Sequence, residues 1–375
     1  MTAFSNPFTP VFGNEPPIFA GRTQLIGNVI SGLENAPGDP NRITIFTGPR
    51  GIGKTVLLTT IAARAEEIGW IGVHTSASNL MLDQFIEQIE KRAASFIKQK
   101  PTSRITGIQL SGVGFQREML EERKRTWRAQ MDEYLDMLAG QDVGLLFTVD
   151  EISAEYPEMV EFIATFQFFI REKRNVALLM AGLPGKVLQM FQNSSISFLR
   201  RAFHRTLDPI NPPEVRAAIK KTVELSGRQI EPGALNKAAE STKGFPFMIQ
   251  LIGYHSFNQS NRMTINESDV DAGISEAKHD MENMILGASL YDLSETDMNF
   301  LMAMLQDRNE SRMSDIAARM KTSISNASHY KRRLVNQGIL AEAGRGKVIF
   351  SMPMMKDLLI EKYETPYPSV KEFSV

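Results

Sequence analysis

Residues 47–55 read TGPRGIGKT and directly follow the apolar run ITIF of residues 43–46. The spacing G-x-x-x-x-G-K-[ST] is satisfied by Gly48, Gly53, Lys54 and Thr55. The residues that follow, KTVLLTTIAARAEEIG, predict a helix, so the motif lies between a strand and a helix. A plain glycine turn needs no such context, and we interpret the stretch as a loop that binds the phosphates of a nucleotide.

The residue types of this loop suit phosphate binding. Consecutive backbone N–H groups at a helix N-terminus point at bound phosphates, and Gly51 and Gly53 let the backbone come close. Lys54 is expected to reach the β- and γ-phosphates, and the Thr55 hydroxyl is expected to bind Mg²⁺. The predicted nucleotide-binding residues of the loop are Gly48, Pro49, Arg50, Gly51, Ile52, Gly53, Lys54, Thr55 and Val56.

A second motif, GLLFTVDE at residues 144–151, is a buried strand that ends in two acids. Open parallel sheets bind ligands at the carboxyl ends of their strands, so both acids are expected to face the phosphate loop. Asp150 is predicted to hold Mg²⁺, and Glu151 to orient the water that attacks the γ-phosphate. A solvated acidic strand end is the alternative. Together the two motifs predict binding of ATP or GTP, with Glu151 and Lys54 as catalytic residues.

Composition excludes several other chemistries. The 375 residues include 42 basic and 43 acidic ones, so any nucleic-acid contact must come from a local basic patch. The chain has no cysteine, which excludes disulfides and thiolate catalysis. The N-terminal sequence lacks the order of a signal peptide, and no apolar run approaches the ~18 residues of a membrane span. We therefore expect a cytoplasmic protein with no membrane partner.

The strand pattern predicts an α/β fold with a doubly wound parallel sheet, followed by an all-α lid domain and a winged helix-turn-helix domain. Four near-continuous apolar strands are predicted, at residues 43–48, 70–76, 144–151 and 175–182. After about residue 208 strands disappear and helices follow one another. The predicted segments are an extended arm (1–20), the P-loop α/β domain (21–207, with a hairpin-containing insertion at about 98–130), the helical lid (208–290), the winged helix (291–363) and a tail (364–375).

The C-terminal unit has the helix spacing of a helix-turn-helix, followed by a glycine-punctuated strand pair around AGRGKVIF. Its predicted core residues are Leu301, Ile316, Ala317, Leu334 and Ile339. The predicted contacts with duplex DNA are Ser325, Asn326, His329, Lys331, Arg332, Arg333, Arg345 and Lys347. The alternative is a winged helix that makes protein contacts and whose basic face is merely solvated.

With GPRGIGKT paired to FTVDE, the chain resembles the AAA-type ATPases of the archaeal replication-initiator and STAND groups, and bacterial ATP-binding proteins of that clade. Other shared elements are NPF near the start, AGR before the first helix, MAGLP, FLRRAFHR and GFPFMIQLIGYH. The resemblance implies ATP as the nucleotide. It also implies that Arg201, within FLRRAFHR, reaches a neighbouring subunit's γ-phosphate in a homo-oligomer, and that Arg22 packs near the adenine. The alternatives are basic residues on a solvated helix for Arg201 and helix N-terminal structure for Arg22.

Two departures from the resemblance predict slow turnover, or turnover that a partner completes. The fourth strand ends in Gly182, Leu183 and Pro184 where common AAA+ proteins carry a polar sensor residue. The lid stretch at residues 244–247, GFPF, lacks the sensor arginine of replication initiators. Two functions remain open. The first is an ATPase that couples nucleotide state to DNA binding, and the second is a STAND-like switch that controls oligomerisation or a protein partner.

Overall fold

The computed structural model describes residues 4–11, 16–93, 126–281, 283, 293–308 and 310–363. The hairpin predicted within the insertion and the predicted tail lie outside the described residues. Among the described residues, none of the helices is both long enough and apolar enough to cross a membrane.

A five-stranded parallel sheet carries the N-terminal half of the chain. Its strands are β1 (Ile43–Thr47), β2 (Ile71–Ser76), β3 (Leu145–Asp150), β4 (Val176–Gly182) and β5 (Phe203–Thr206). They are ordered β2-β3-β4-β1-β5, so β1 lies between β4 and β5. The predicted parallel α/β sheet is confirmed. The four-strand prediction missed β5, because FHRT is a short edge strand of mixed polarity that only pairing with β1 defines.

Helices cover both faces of this sheet. They are α1 (Thr23–Glu34), α2 (Lys54–Glu67), α3 (Met81–Arg92), α4 (Trp127–Ala139), α5 (Pro157–Arg171) and α6 (Pro184–Gln192), with short 3₁₀ segments at Pro40–Arg42 and Ser194–Arg201. On one face an aromatic cluster forms the core, in which the Phe147 ring centroid lies 5.0 Å from that of Phe85 and 5.4 Å from that of Phe162. The sheet is therefore a rigid platform for the loops at its carboxyl edge.

The following region is a helical lid. It comprises α7 (Pro212–Leu225), α8 (Pro232–Ser241), α9 (Pro246–Asn258) and α10 (Glu267–Met281). The expectation of no strands here was wrong, because the two-residue strands β6 (Gln229–Ile230) and β7 (Thr264–Ile265) pair in parallel. These strands are too short to produce a periodic sequence signal, and they join the chain segments that precede α8 and α10.

The C-terminal unit is a winged helix, as predicted. Its elements are α11 (Glu295–Met304), β8 (Ser311–Arg312), α12 (Met313–Arg319), α13 (Ile324–Asn336), β9 (Leu340–Glu342), β10 (Lys347–Phe350) and α14 (Pro353–Lys362). The three strands form an antiparallel sheet in the order β8-β10-β9. Ser323 caps α13 by accepting a hydrogen bond from the Asn326 N–H. All five predicted core residues are buried.

Candidate nucleotide-binding site

The loop between β1 and α2 has the backbone shape that its glycines predict. Gly51 and Gly53 have φ angles of 75° and 89°, in the left-handed region that side chains disfavour. Gly48 is required for a different reason: a β-carbon there would lie 2.9 Å from Cγ2 of Ile52. The loop therefore wraps closely around the start of α2 and leaves the backbone N–H groups of that helix accessible.

Lys54, the first residue of α2, is buried at the centre of the loop. Its Nζ donates hydrogen bonds to the carbonyl oxygens of Gly48 (3.0 Å) and Pro49 (2.9 Å). Burial lowers the pKa of Lys54, and the nearby carboxylates of Glu151 and Asp150 oppose that shift. The ammonium group is thus held where the phosphates of a nucleotide would enter the loop.

Thr55 and Asp150 are brought together from α2 and the end of β3. The Thr55 hydroxyl donates a hydrogen bond to one carboxylate oxygen of Asp150. The other oxygen accepts one from the Glu151 backbone N–H at 2.8 Å. A hydroxyl next to a carboxylate is an oxygen donor set that fits Mg²⁺. In the part of the chain that the structure describes, no cluster of three or more acidic or histidine side chains would hold a metal alone. Phosphate and water oxygens would therefore supply the remaining ligands.

Glu151 follows directly and has an unusual backbone. Its φ of 50° is left-handed, a conformation that is uncommon for a non-glycine residue. The side chain is exposed, and its carboxylate makes no hydrogen bond to any described residue. Glu151 lines the pocket above the loop.

The pocket above the loop has a volume of about 310 Å³ and two walls that sequence reasoning missed. One is the N-terminal arm: Phe8 is buried against α9, and the Thr9 N–H donates to Oε1 of Gln250 at 3.1 Å. Gly253 leaves room for the Phe8 ring of the arm, because a β-carbon at position 253 would lie 2.2 Å from that ring. The sequence predicts an extended arm, but nothing in it indicates which surface the arm contacts.

The other wall is the start of the lid helix α9. A β-carbon on Gly53 would lie 3.4 Å from Pro246, so this proline sits directly over the phosphate loop. Pro246 and Phe247 line the pocket at the place where the resemblance implies a sensor arginine. Gly244 positions them: its φ is 76°, and its carbonyl accepts a hydrogen bond of 2.8 Å from the Ile210 N–H.

Arg22 lines the same pocket. It has a left-handed φ of 67°, and its guanidinium donates a hydrogen bond to the carbonyl oxygen of Asp208. Burial lowers the pKa of Arg22, while Asp208 and Glu214 oppose the shift. Arg22 thus ties the start of α1 to the segment that leads into the lid. Its predicted position near the adenine remains a prediction.

Arg201 lies far from this chain's own phosphate loop. It precedes β5, which runs parallel to β1 with Thr206 opposite Thr47. The loop begins at the carboxyl end of β1, so Arg201 is at the opposite edge of the sheet, exposed and without a hydrogen bond to any described residue. Its neighbour Arg200 donates two hydrogen bonds to the Phe191 carbonyl oxygen. A role for Arg201 in this chain's own site is ruled out by position, and a role in a neighbour's site stays a prediction.

The structure divides the predicted DNA contacts into three groups. Ser325, Asn326 and Arg345 are exposed, on the first half of α13 and on the wing. Three predicted cations are already paired: Lys331 with Glu342, Arg333 with Asp297, and Lys347 with Glu310. His329 and Arg332 line a cavity together with Arg50 and Glu151 of the nucleotide site. Of the predicted cationic cluster, only Arg332 and Arg345 have no ion pair with a described residue.

This combination of a parallel sheet, a phosphate loop, a helical lid and a winged helix is a fold that two solved structures share. The chain is similar in structure to the Walker-type ATPase PABY2304 of Pyrococcus abyssi, with a TM-score of 0.67 and 17% identity over 91% of this chain and 96% of that one. It is also similar to the ORC2 protein of Aeropyrum pernix, solved as ADPNP-ADP complexes, with a TM-score of 0.65 and 16% identity over 97% and 98% of the two chains.

A family model described as a domain of unknown function, DUF8462, matches residues 283–359, which contain most of the winged helix. No curated protein matches the chain. At these identities the structural matches establish the fold, and the chemistry of the site is inferred from its own residues.

Proposed function

We propose that this protein binds Mg-ATP in the pocket between the phosphate loop and the lid, hydrolyses it slowly, and couples its nucleotide state to the binding of duplex DNA. One observation carries the proposal. Lys54, Thr55 and Glu151 line a single pocket whose wall includes the lid residues Pro246 and Phe247, and Asp150 accepts a hydrogen bond from the Thr55 hydroxyl. We propose ATP rather than GTP as the nucleotide, because the similar ORC2 protein of Aeropyrum pernix was solved as ADPNP-ADP complexes.

Each residue has a defined task in this site. Lys54 binds the β- and γ-phosphates, and Thr55 and Asp150 hold Mg²⁺, which when bound neutralises charge on the phosphate oxygens. Glu151 orients a water molecule and accepts its proton, and its carboxylate is exposed at the edge of the pocket. The lid residues Pro246 and Phe247 exclude water from the phosphates.

Turnover is expected to be slow in the isolated chain. The end of β4 and the start of α9 present Leu183 and Phe247, which cannot stabilise developing negative charge. The missing cation is supplied in trans by Arg201 of a neighbouring copy, which makes the active form a nucleotide-dependent homo-oligomer. We place the protein in the cytoplasm, in line with its lack of cysteine.

The winged helix supplies the DNA contact in this proposal. Its exposed Ser325, Asn326 and Arg345 reach the bases and phosphates, and Arg332 joins them when its face of α13 is accessible. Because few unpaired cations contribute, we expect weak affinity that depends on salt.

A second function is favoured by a specific observation. Lys331, Arg333 and Lys347 are neutralised by carboxylates of the winged helix itself, as in a domain that makes protein contacts. The alternative is therefore a STAND-like switch in which the nucleotide controls oligomerisation or a protein partner.

The test is ATP binding and turnover measured with and without duplex DNA at low salt. Lys54→Ala is expected to abolish ATP binding, and Glu151→Gln to retain binding while losing turnover by a factor of about 100 or more. A response of turnover to DNA that Glu151→Gln abolishes supports the ATPase coupled to DNA. Intact ATP binding with no DNA binding supports the switch, and unchanged ATP affinity in Lys54→Ala contradicts the site.

A further inference from the structure

The winged helix is docked on the ATPase domain through two glycines. A β-carbon on Gly185, at the start of α6, would lie 3.2 Å from Cα of Asn336 at the end of α13. A β-carbon on Gly338 would lie 2.8 Å from the Leu183 side chain. The nearest atom to a β-carbon on Gly185 is Oδ1 of Asn336 at 2.7 Å, so the asparagine side chain leaves no room for a β-carbon there. The end of α13 therefore packs against the turn that follows β4.

Docking places α13 beside the phosphate end of the nucleotide pocket. A cavity of about 550 Å³ separates the end of β3 from α13 and is lined by His329, Arg332 and Asn336 of that helix. Arg50 and Glu151 line both this cavity and the nucleotide pocket. The cavity therefore begins where the terminal phosphate of a bound triphosphate would end.

The unpaired charges of the cavity favour an anion. Lys186 is paired with Glu155 at 2.6 Å, and Arg333 is paired with Asp297 outside the cavity. Arg50, Arg332 and Glu151 make no hydrogen bond or ion pair with another described residue, which leaves two cations facing one carboxylate. A terminal phosphate beside Glu151 would be attracted to both arginines across this space.

The same helix face contains the predicted DNA contacts. Ser325, His329, Arg332 and Asn336 recur at helical spacing and share one stripe of α13. Asn336 of this stripe lies against Gly185, and His329 and Arg332 line the cavity between α13 and the ATPase domain. A recognition helix enters a major groove about 12 Å wide between bulky backbones, so duplex DNA cannot enclose this stripe of α13 while the stripe faces the ATPase domain.

We propose that this stripe of α13 is one surface with two alternative ligands, the phosphate end of the chain's own nucleotide site and duplex DNA. The proposal rests on the DNA-binding function proposed above and specifies its regulation. The γ-phosphate of ATP strengthens docking through Arg332, and its loss on hydrolysis weakens docking. The ADP-bound protein is therefore the form that releases the winged helix and binds DNA.

A reversible lock on the docked state tests the proposal. The double variant Gly185→Cys/Asn336→Cys removes Oδ1 of Asn336 and puts two cysteines within reach of a disulfide, since a β-carbon on residue 185 lies 3.2 Å from Cα of residue 336. The natural chain has no cysteine to compete. The same sample is assayed oxidised and reduced, by fluorescence anisotropy with a short labelled duplex in ADP, and the two single-cysteine variants are the controls.

The oxidised double variant is expected to lose DNA affinity by more than about tenfold, because the binding-competent fraction is removed, and reduction is expected to restore it. Because a γ-phosphate that strengthens docking must itself bind the docked form more tightly, ATP is expected to bind the oxidised form at least as tightly as the reduced form. Equal DNA affinity in the oxidised and reduced forms would overturn the proposal and leave DNA binding itself standing. Failure of the disulfide to form under mild oxidation would overturn the docked contact. If the wild-type chain and the reduced variant both fail to bind DNA, the proposed DNA function fails.

Discussion

The close contact of Gly244 with the Ile210 backbone predicts how a substitution at Gly244 changes the affinity for ATP. A β-carbon at this position would lie 2.4 Å from the carbonyl oxygen of Ile210 and 2.9 Å from its nitrogen, both backbone atoms that cannot rotate away. Gly227 is a matched control, because its φ of 80° is similar to the 76° of Gly244, yet a β-carbon there would meet nothing within 4 Å. Both alanine variants bear the left-handed strain of about 1–2 kcal/mol, and only Gly244→Ala adds the clash.

The added cost can be estimated from the contacts that must change. Relieving the clash shifts the backbone and breaks the hydrogen bond between the Ile210 N–H and the Gly244 carbonyl, worth about 1 kcal/mol. Overpacking contributes at least about 1 kcal/mol more. If the clash is relieved by a movement of the lid away from the phosphate loop, the closed position of the lid is destabilised by about 2 kcal/mol. ATP affinity is then expected to fall about 30-fold, at 1.4 kcal/mol per factor of ten.

Isothermal titration with Mg-ATP measures this difference, and urea unfolding of the same samples shows how much of it is global. We expect Gly227→Ala to bind ATP like the wild type, with a loss of stability of about 1 kcal/mol. Equal ATP affinity in the two alanine variants would refute the role of Gly244 in holding Pro246 over the loop.

Arg201→Ala is expected to lower ATP turnover about 1,000-fold or more without affecting ATP binding. Mixing this variant with Glu151→Gln subunits, which retain Arg201, should restore turnover. No recovery on mixing would contradict the action of Arg201 on a neighbouring subunit. Arg200→Ala instead removes the hydrogen bonds to the Phe191 carbonyl, so a loss of thermal stability is expected. Burial lowers the pKa of His74 from its ordinary 6.5, with Arg92 lowering it further and Glu66 opposing. The unfolded state therefore binds the proton first, and stability should fall as the pH drops below 6.5 towards the lowered pKa. His74→Gln should flatten this part of a melting-temperature profile, and an unchanged profile would exclude His74 as the cause.

The sheet and the phosphate loop were predictable because their signals are local. The strands before Gly48 and Asp150 are short apolar runs, and the loop motif fixes its own backbone through glycines at set positions. The winged helix was predictable for a similar reason, since helix spacing and two wing glycines lie in one continuous segment.

The rest depends on contacts between distant residues, which a single sequence does not reveal. The Phe8 ring packs against Gly253, which is more than 240 positions away in the sequence. Strand β5 is defined only by its pairing with β1. The ion pairs of Lys347 and Arg333 were not predictable, because their carboxylate partners come from other elements of the domain. Docking of α13 on Gly185 has no local signature at all.

The central claim is that the bound nucleotide sets the DNA affinity of the winged helix. The most direct measurement is the affinity of Glu151→Gln for a labelled duplex at low salt, in saturating ATP and in saturating ADP, since this variant is expected to bind ATP without consuming it. We predict tighter DNA binding in ADP than in ATP, and no difference between nucleotides in the Lys54→Ala control. Identical affinities in ATP and ADP, with both nucleotides shown to be bound, would contradict the claim.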